Sequence, residues 1–321
     1  MSDFKLGVVG LGLIGCSFAA ALRQRRLVSE VVGVGRPSTV DQALALGWID
    51  RGGADYQILQ DVDLVMIAVP VQSTLQVLMR CLPWIRGDCI VTDAGSTKQK
   101  VAVQIRDLLG VAQAQADDAS SKAGTAADAA SLWRFVPGHP IAGSHLSGPS
   151  AADAQLFVGR NVMLCPYPSE CFTPPLRQQH EKAVEVVRGL WCSIGASVHQ
   201  MSALDHDELF ARLSHLPHLL AFAAIGMFES RADREKMLRF SGSGFSDFTR
   251  IGAGHPEMWA DIMLDNHEAL LESLDAYERQ LKQVRSMVQN EDREALLVYL
   301  KRSQALRMAL GSQAMESTIH E

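Results

Sequence analysis

Residues 5–15, "KLGVVGLGLIG", carry the strongest constraint in this chain. A run of apolar, partly β-branched residues reads as a buried strand and leads directly into Gly10-Leu11-Gly12-Leu13-Ile14-Gly15. "CSFAAALRQRR" follows with helical spacing. A G-x-G-x-x-G string alone is a weak signal, but between a strand and a helix it has a mechanical reading. Gly10 permits the tight turn, Gly12 lets a pyrophosphate approach the backbone, and Gly15 lets the helix pack on the strand. The helix N-terminus then points its free N–H groups at the phosphates. The expectation is a dinucleotide held by Gly10, Leu11, Gly12, Leu13, Ile14 and Gly15.

Further strand and helix patterns follow in alternation. "EVVGVG", "VDLVMIAVP", "CIVTDAGS" and "RFVPGHP" read as strands, and "TVDQALALG", "VQSTLQVLMRCLPWI" and "STKQKVAVQIRDLL" as helices. This alternation predicts an α/β fold, an N-terminal Rossmann-type, doubly wound and mostly parallel sheet. "RNVMLCPY" reads as another strand, and "SVHQM" as a short strand that closes the same sheet. From about Leu204 the strands vanish and long amphipathic helical patterns take over. We therefore expect a nucleotide-binding domain over residues 1–200 and an all-helical domain over 201–321. Apolar stripes on those helices point to a homodimer formed through them, the alternative being that the helices only bury one another. Residues 112–131 are rich in Ala, Asp and Ser and break the rhythm, which predicts a flexible surface insertion, partly disordered or weakly helical.

Composition narrows the function classes. Apolar residues make up 47% of the chain, yet no apolar run reaches the roughly 18 residues of a membrane span. The formal charge of −6 offers no basic footprint for nucleic acid. Six cysteines lie scattered without CxxC spacing, which fits reduced thiols and no zinc site. The N-terminus enters a strand pattern without an export signal, so the expected setting is cytoplasmic. No ligand cluster for a metal is visible.

The end of the second strand bears on cofactor choice. An acid there would accept bonds from the ribose 2′-hydroxyl. The stretch "GVGRPST" has none, and offers Arg36, Ser38 and Thr39 instead. A guanidinium and hydroxyls suit a 2′-phosphate, so NADP is expected in preference to NAD. Val69 and Pro70 end the third strong strand, and Ser96 follows the next, so all three should line the cofactor crevice. Ser96 also qualifies as an N-cap for the helix after it. His139, at the end of "RFVPGHP", falls on the same lip and can bond an alcohol that loses hydride.

Four motifs occur in order: "DAGSTK", "GHPIAGSHLSG", "LSHLPH" and "GFSDFTRIGAGHPEMW". Together, behind the glycine fingerprint, they resemble the prephenate/arogenate (cyclohexadienyl) dehydrogenase family of tyrosine biosynthesis, from about residue 5 to about residue 300. The resemblance implies oxidative decarboxylation of prephenate or arogenate, with hydride passing to NADP or NAD. By that resemblance His139 is the base on the substrate hydroxyl, with Ser96 sharing the bond. Arg250 and His218 bind substrate, Ser214 and His215 lie one turn before His218, and Trp259 lies near the site or in the core. His215 fits a structural histidine equally well. Asp207 matches an acid that pairs with the arginine in some relatives. Pro217 is expected to kink its helix. One departure stands out: some relatives carry Glu where this chain has His145. Two other readings compete, a β-hydroxyacid dehydrogenase or pyrroline-carboxylate reductase type protein and a non-catalytic NADP-binding redox sensor. The first relies on a catalytic lysine where this chain has "LSHLPH". The second has no need of Ser96, His139, His218 and Arg250 together. Prephenate against arogenate, and tyrosine inhibition, are left open by the residues.

Overall fold

The strands of this chain are continuous apolar runs, the pattern of a sheet covered on both faces. The computed structural model describes residues 3–116, 131–143, 146–229 and 234–319. Six strands build its first sheet: β1 (Lys5–Val9), β2 (Glu30–Val34), β3 (Arg51–Gly53), β4 (Leu64–Ile67), β5 (Ile90–Asp93) and β6 (Phe135–Val136). All neighbours run parallel, in the order β3-β2-β1-β4-β5-β6. The order reverses between β1 and β4, which opens a crevice at their carboxyl ends. Helices α1 (Leu13–Gln24), α2 (Pro37–Ala45), α3 (Thr74–Cys81) and α4 (Gln99–Ala116) make crossovers. Alternate strand residues feed two cores. Leu6, Val8, Leu64 and Met66 face one side with Phe18 and Trp191, while Val9, Val65, Ile67 and Val91 face the other with Leu78 and Ile105. Trp191, near the end of α5 (Pro174–Ser193), packs its ring at a tilt against Phe18, centroids 4.5 Å apart, and both are fully buried. Burying each such side chain contributes about 1.5–3 kcal/mol.

Two strand expectations are corrected. "RFVPGHP" is not one strand: β6 ends at Val136, and Gly138–Pro140 forms β7 of a second sheet. The reason lies in two residues. Pro137 has no N–H with which to continue a ladder, and the Gly138 N–H is taken by the Asp93 carboxylate at 2.9 Å. The chain therefore changes sheets there. "SVHQM" does not close the first sheet either. It forms β9 (Ser197–Gln200), parallel to β8 (Asn161–Leu164), which in turn pairs antiparallel with β7. β3 was not foreseen; its three residues include two glycines and offer no strand pattern. Of the segment 112–131, residues through Ala116 continue α4. Residues 117–130 lie outside the described residues, as does His145.

Beyond β9 the described residues are helical: α6 (Ala203–Phe210), a turn of π-helix (Ala211–His215), α7 (Leu216–Gly226), α8 (Arg234–Arg239), α9 (Ser243–Thr249), α10 (Pro256–Asp265), α11 (His267–Gln289) and α12 (Arg293–Ile319). Pro217 lies inside the continuous helical run Ala203–Gly226, directly after the π turn Ala211–His215, which accommodates the hydrogen bond its missing N–H cannot make. The chain divides into two compact units, Met1–Ala269 and Leu270–Glu321. In the second, Leu281, Val288, Leu297, Val298, Leu300 and Leu306 are all exposed.

Candidate functional site

At the carboxyl end of β1 the three fingerprint glycines meet different surroundings. Gly10 has φ +97°, and a Cβ there would stand 2.3 Å from the Ala68 carbonyl oxygen. Gly15 lies so close to β1 that a Cβ would meet the Gly10 carbonyl oxygen at 2.4 Å. Around Gly12, by contrast, a Cβ would meet nothing within 4 Å. Gly12 is also the N-cap of α1, has no side chain to cap it, and is followed by no acid in the first turn. An uncapped helix end opening on free space fits a diphosphate. Leu13 and Ile14 stand half-buried at this helix start. Leu11 departs from expectation: its side chain is buried against Gly33 and Gly35, so only its backbone can face a ligand.

The neighbouring crevice residues are arranged as the strand ends dictate. Arg36 and Ser38 are exposed after β2, while the Thr39 hydroxyl donates to the Arg36 carbonyl at 2.8 Å. Val69 is half-buried against Gly10, and Pro70 beside it is exposed.

After β5 the chain makes a rigid loop. Asp93 and Lys98 form a fully buried ion pair across it. The Gly95 N–H donates to Asp93 Oδ2 at 2.9 Å, and the Gly138 N–H to Oδ1. This carboxylate thus ties the loop to the backbone beside His139. Ser96 sits half-buried on the loop, and its hydroxyl makes no hydrogen bond with the described residues. It is not the N-cap of α4. That helix begins at Gln99, and its first N–H groups are satisfied from elsewhere: Asp207 of α6 accepts from the Lys98 and Gln99 N–H groups, both at 2.8 Å. A carboxylate at a helix N-terminus is stabilised by both the bonds and the dipole.

Asp207 therefore does not pair with Arg250. It is buried, and besides those two N–H groups its Oδ1 accepts from His206 Nδ1 at 2.7 Å. His206 Nε2 lies 2.9 Å from His139 Nδ1. Phe210, one helical turn on, sets its ring edge to His139 at 5.1 Å and packs on His206 at 4.6 Å. Burial pushes the His139 pKa well below the usual histidine range, and nearby His206, Lys98 and His215 press it further down. Burial also lowers His206, against the pull of Asp207. His139 is thus a neutral imidazole at neutral pH, held in β7 beside the carboxyl edge of β5.

A second histidine pair stands further along the helix. His215 is buried, and burial brings its pKa down to about 4. Asn266, at the break between α10 and α11, donates through Nδ2 to the Asp207 carbonyl at 2.7 Å and to His215 Nδ1 at 3.1 Å. His218 donates from Nδ1 to the Ser214 carbonyl at 2.9 Å, so Ser214 holds His218 through its backbone. The His218 ring stacks on Trp259 with centroids 3.6 Å apart. Arg250 is exposed at the end of α9, and its cation helps to depress the His218 pKa after the larger effect of burial.

The structure thus joins Asp207, His206, His139, Lys98 and Asp93 into one bonded group, and His218, Ser214 and Trp259 into a neighbouring one, with the exposed Arg250 cation near enough to act on His218. His206, Asn266 and Lys98 were missed by the sequence reading, which placed Asp93 at the crevice without a role. An adjacent His-Asp pair inside "LDHDELF" was the available signal for the first of these.

Comparison with known proteins bears on this arrangement. Residues 18–116 and 109–200 match the family model described as prephenate dehydrogenase, nucleotide-binding domain, and residues 202–302 match the prephenate dehydrogenase dimerization domain. The chain belongs to the prephenate dehydrogenase family. Within the family it is 34% identical over 315 residues to the cyclohexadienyl dehydrogenase of Zymomonas mobilis, covering 97% of each chain. It is 31% identical to the prephenate dehydrogenase of Bacillus subtilis, covering 94% of this chain and 75% of that one. Its structure is similar to the prephenate dehydrogenase of Aquifex aeolicus solved in complex with hydroxyphenyl propionate and NAD+, with a TM-score of 0.81, 30% identity, and coverage of 97% and 99%. The arogenate dehydrogenase of Synechocystis is similar too, with a TM-score of 0.72, 29% identity, and coverage of 96% and 100%.

Proposed function

We propose that this chain oxidises and decarboxylates prephenate or arogenate, the reaction of its family in tyrosine biosynthesis, with His139 as the base. The observation that carries the assignment is the His139 imidazole at the carboxyl edge of β5, hydrogen-bonded to His206 on one side, where burial holds its pKa well below the usual histidine range. A neutral, positioned imidazole is what proton abstraction from an alcohol needs. His139 takes the proton of the substrate's 4-hydroxyl as the carbonyl-like bond develops, and the free Ser96 hydroxyl shares that oxygen. The ring carboxylate departs as carbon dioxide, the ring becomes aromatic, and His139 returns the proton to the phenolic oxygen. No net proton is consumed. The exposed Arg250 guanidinium offers a planar fork for a substrate carboxylate. His218, stacked on Trp259, presents its other nitrogen alongside.

The uncapped start of α1, with Gly10, Gly12, Leu13, Ile14 and Gly15, suits the diphosphate of a nicotinamide dinucleotide, which supplies the hydride acceptor when bound. Val69 and Pro70 border that crevice. Exposed Arg36 and Ser38, with no acid in the β2–α2 turn, favour NADP over NAD. Residues 1–200 serve as the nucleotide half. Residues 201–321 serve as the helical half for substrate and for a homodimer, whose interface would cover the exposed apolar side chains of α11 and α12.

By length and composition the 24-residue helix Ala203–Gly226 is apolar enough to cross a bilayer. It also carries His206, Asp207 and His215, each buried and hydrogen-bonded inside the protein, which marks a site-bearing helix. All six cysteines are free thiols, in keeping with a cytoplasmic setting.

The test is absorbance at 340 nm with each pairing of prephenate or arogenate with NAD+ or NADP+. Reduced cofactor is expected from at least one substrate, with the higher kcat/KM for NADP+. No reduced cofactor from either substrate would overturn the assignment, and a tenfold preference for NAD+ would overturn the cofactor choice alone.

A further inference from the structure

The row from Asp207 to His139 leaves each nitrogen only one role. A carboxylate accepts and cannot donate. At 2.7 Å from Asp207 Oδ1, His206 Nδ1 must therefore carry the donated proton. The His206 ring is fully buried and, as a neutral imidazole with its proton on Nδ1, keeps a lone pair on Nε2. That lone pair faces His139 Nδ1 at 2.9 Å, so His139 Nδ1 is the donor of the second bond. The one proton of neutral His139 is then spent on Nδ1, and its Nε2 is left bare.

We propose that His206 is a positioning residue, anchored by Asp207, that fixes the tautomer of His139 so that its basic nitrogen is Nε2. The inference rests on the reading of His139 as the base, and it explains why Asp207 is buried and not paired with Arg250. In neutral imidazoles the partner of one nitrogen decides which of the two holds the proton. The other groups facing His139 cannot do this. Lys98 is a cation committed to Asp93, Asp93 is taken up by Lys98 and by the Gly95 and Gly138 N–H groups, His215 is bonded to Asn266, and Phe210 offers a ring edge. The Asp207 carboxylate is itself immobile, because the N–H groups at the start of α4 hold both its oxygens.

Two variants separate positioning from packing. In His206→Asn the side chain reaches only to the former Nδ1 position. It keeps a donor for Asp207 and loses the acceptor for His139. In His206→Gln the amide oxygen reaches the former Nε2 position and can still accept. His206→Asn is expected to lower kcat about 10- to 100-fold, with KM for the dinucleotide unchanged, and His206→Gln to recover most of that loss. Equal loss in both variants would mean a packing role only and would overturn the proposal.

Nitrogen-15 NMR of the histidine-labelled full chain gives a readout independent of turnover. At pH 8 His139 should show a protonated Nδ1 and a bare Nε2, and the pattern should invert in His206→Asn. A protonated Nε2 in the unmodified protein would overturn the proposal even if neither variant folds. If the tautomer is as expected but neither prephenate nor arogenate is turned over, the positioning stands and the catalytic reading of His139 falls.

Discussion

The sharpest physical prediction concerns acid. His215 is 1% exposed, accepts from Asn266 and packs its ring edge against Trp259. Burial holds its pKa at about 4, outweighing the pull of Asp207, against 6.5 in an unfolded chain. As pH falls below 6.5 the unfolded chain binds a proton that the folded ring refuses. Unfolding therefore takes up a proton, and stability rises with pH between about 4 and 6.5 and is flat above that window. At about 1.4 kcal/mol for each pH unit of difference, this one ring withdraws about 2.5 kcal/mol between pH 7.5 and pH 4.5. The assay is urea unfolding of the full chain at those two pH values, compared with His215→Asn. Asn keeps an oxygen where Nδ1 accepts but cannot titrate. Its stability at pH 7.5 should be lower, because part of the contact with Trp259 is lost, yet its drop on acidification should be smaller by about 2.5 kcal/mol. His139, His206 and His218 are also depressed by burial and remain in both proteins, so the difference isolates His215. Equal acid slopes in the two proteins would refute the reasoning.

Two further outcomes follow from the site. Gly12→Ala should melt within about a degree of the parent, since its Cβ meets nothing, while dinucleotide affinity measured by titration falls at least about tenfold; Gly10→Ala, at φ +97° against a carbonyl, should lower Tm outright, since backbone strain of this kind costs about 1–3 kcal/mol before the clash is counted. In steady-state kinetics His139→Asn should lower kcat at least about 100-fold with dinucleotide affinity intact, whereas Arg250→Gln should chiefly raise substrate KM.

What could be read from the sequence was whatever is decided locally. The Gly10–Gly15 turn announces itself because its glycines answer to neighbours only a few residues away or to open space. Strand–helix alternation likewise reveals the parallel sheet. The division of "RFVPGHP" was hidden because it depends on Asp93, 45 residues from Gly138. The role of Asp207 was misread for the same reason. Its partners Lys98 and Gln99 lie 109 and 108 positions away, and nothing near Asp207 signals that a distant helix needs capping. His206 was overlooked because a histidine beside an aspartate looks like an ordinary solvated pair until His139 is brought to its far nitrogen. The helix break at Asn266 was equally invisible, since what holds Asn266 is the pair of acceptors it finds on another helix.

The double duty of Asp207 has a consequence for how activity is assembled. The carboxylate that closes off the start of α4 is the same one that orients His206. A chain in which α6 has not yet docked would lack both at once: α4 would begin with open N–H groups, and His139 would exchange freely between two protonation patterns. Such a species could still form the glycine turn and hold a dinucleotide, but it would have no committed base. With His139 as the proposed base, docking of this helix would be the step that completes the active site.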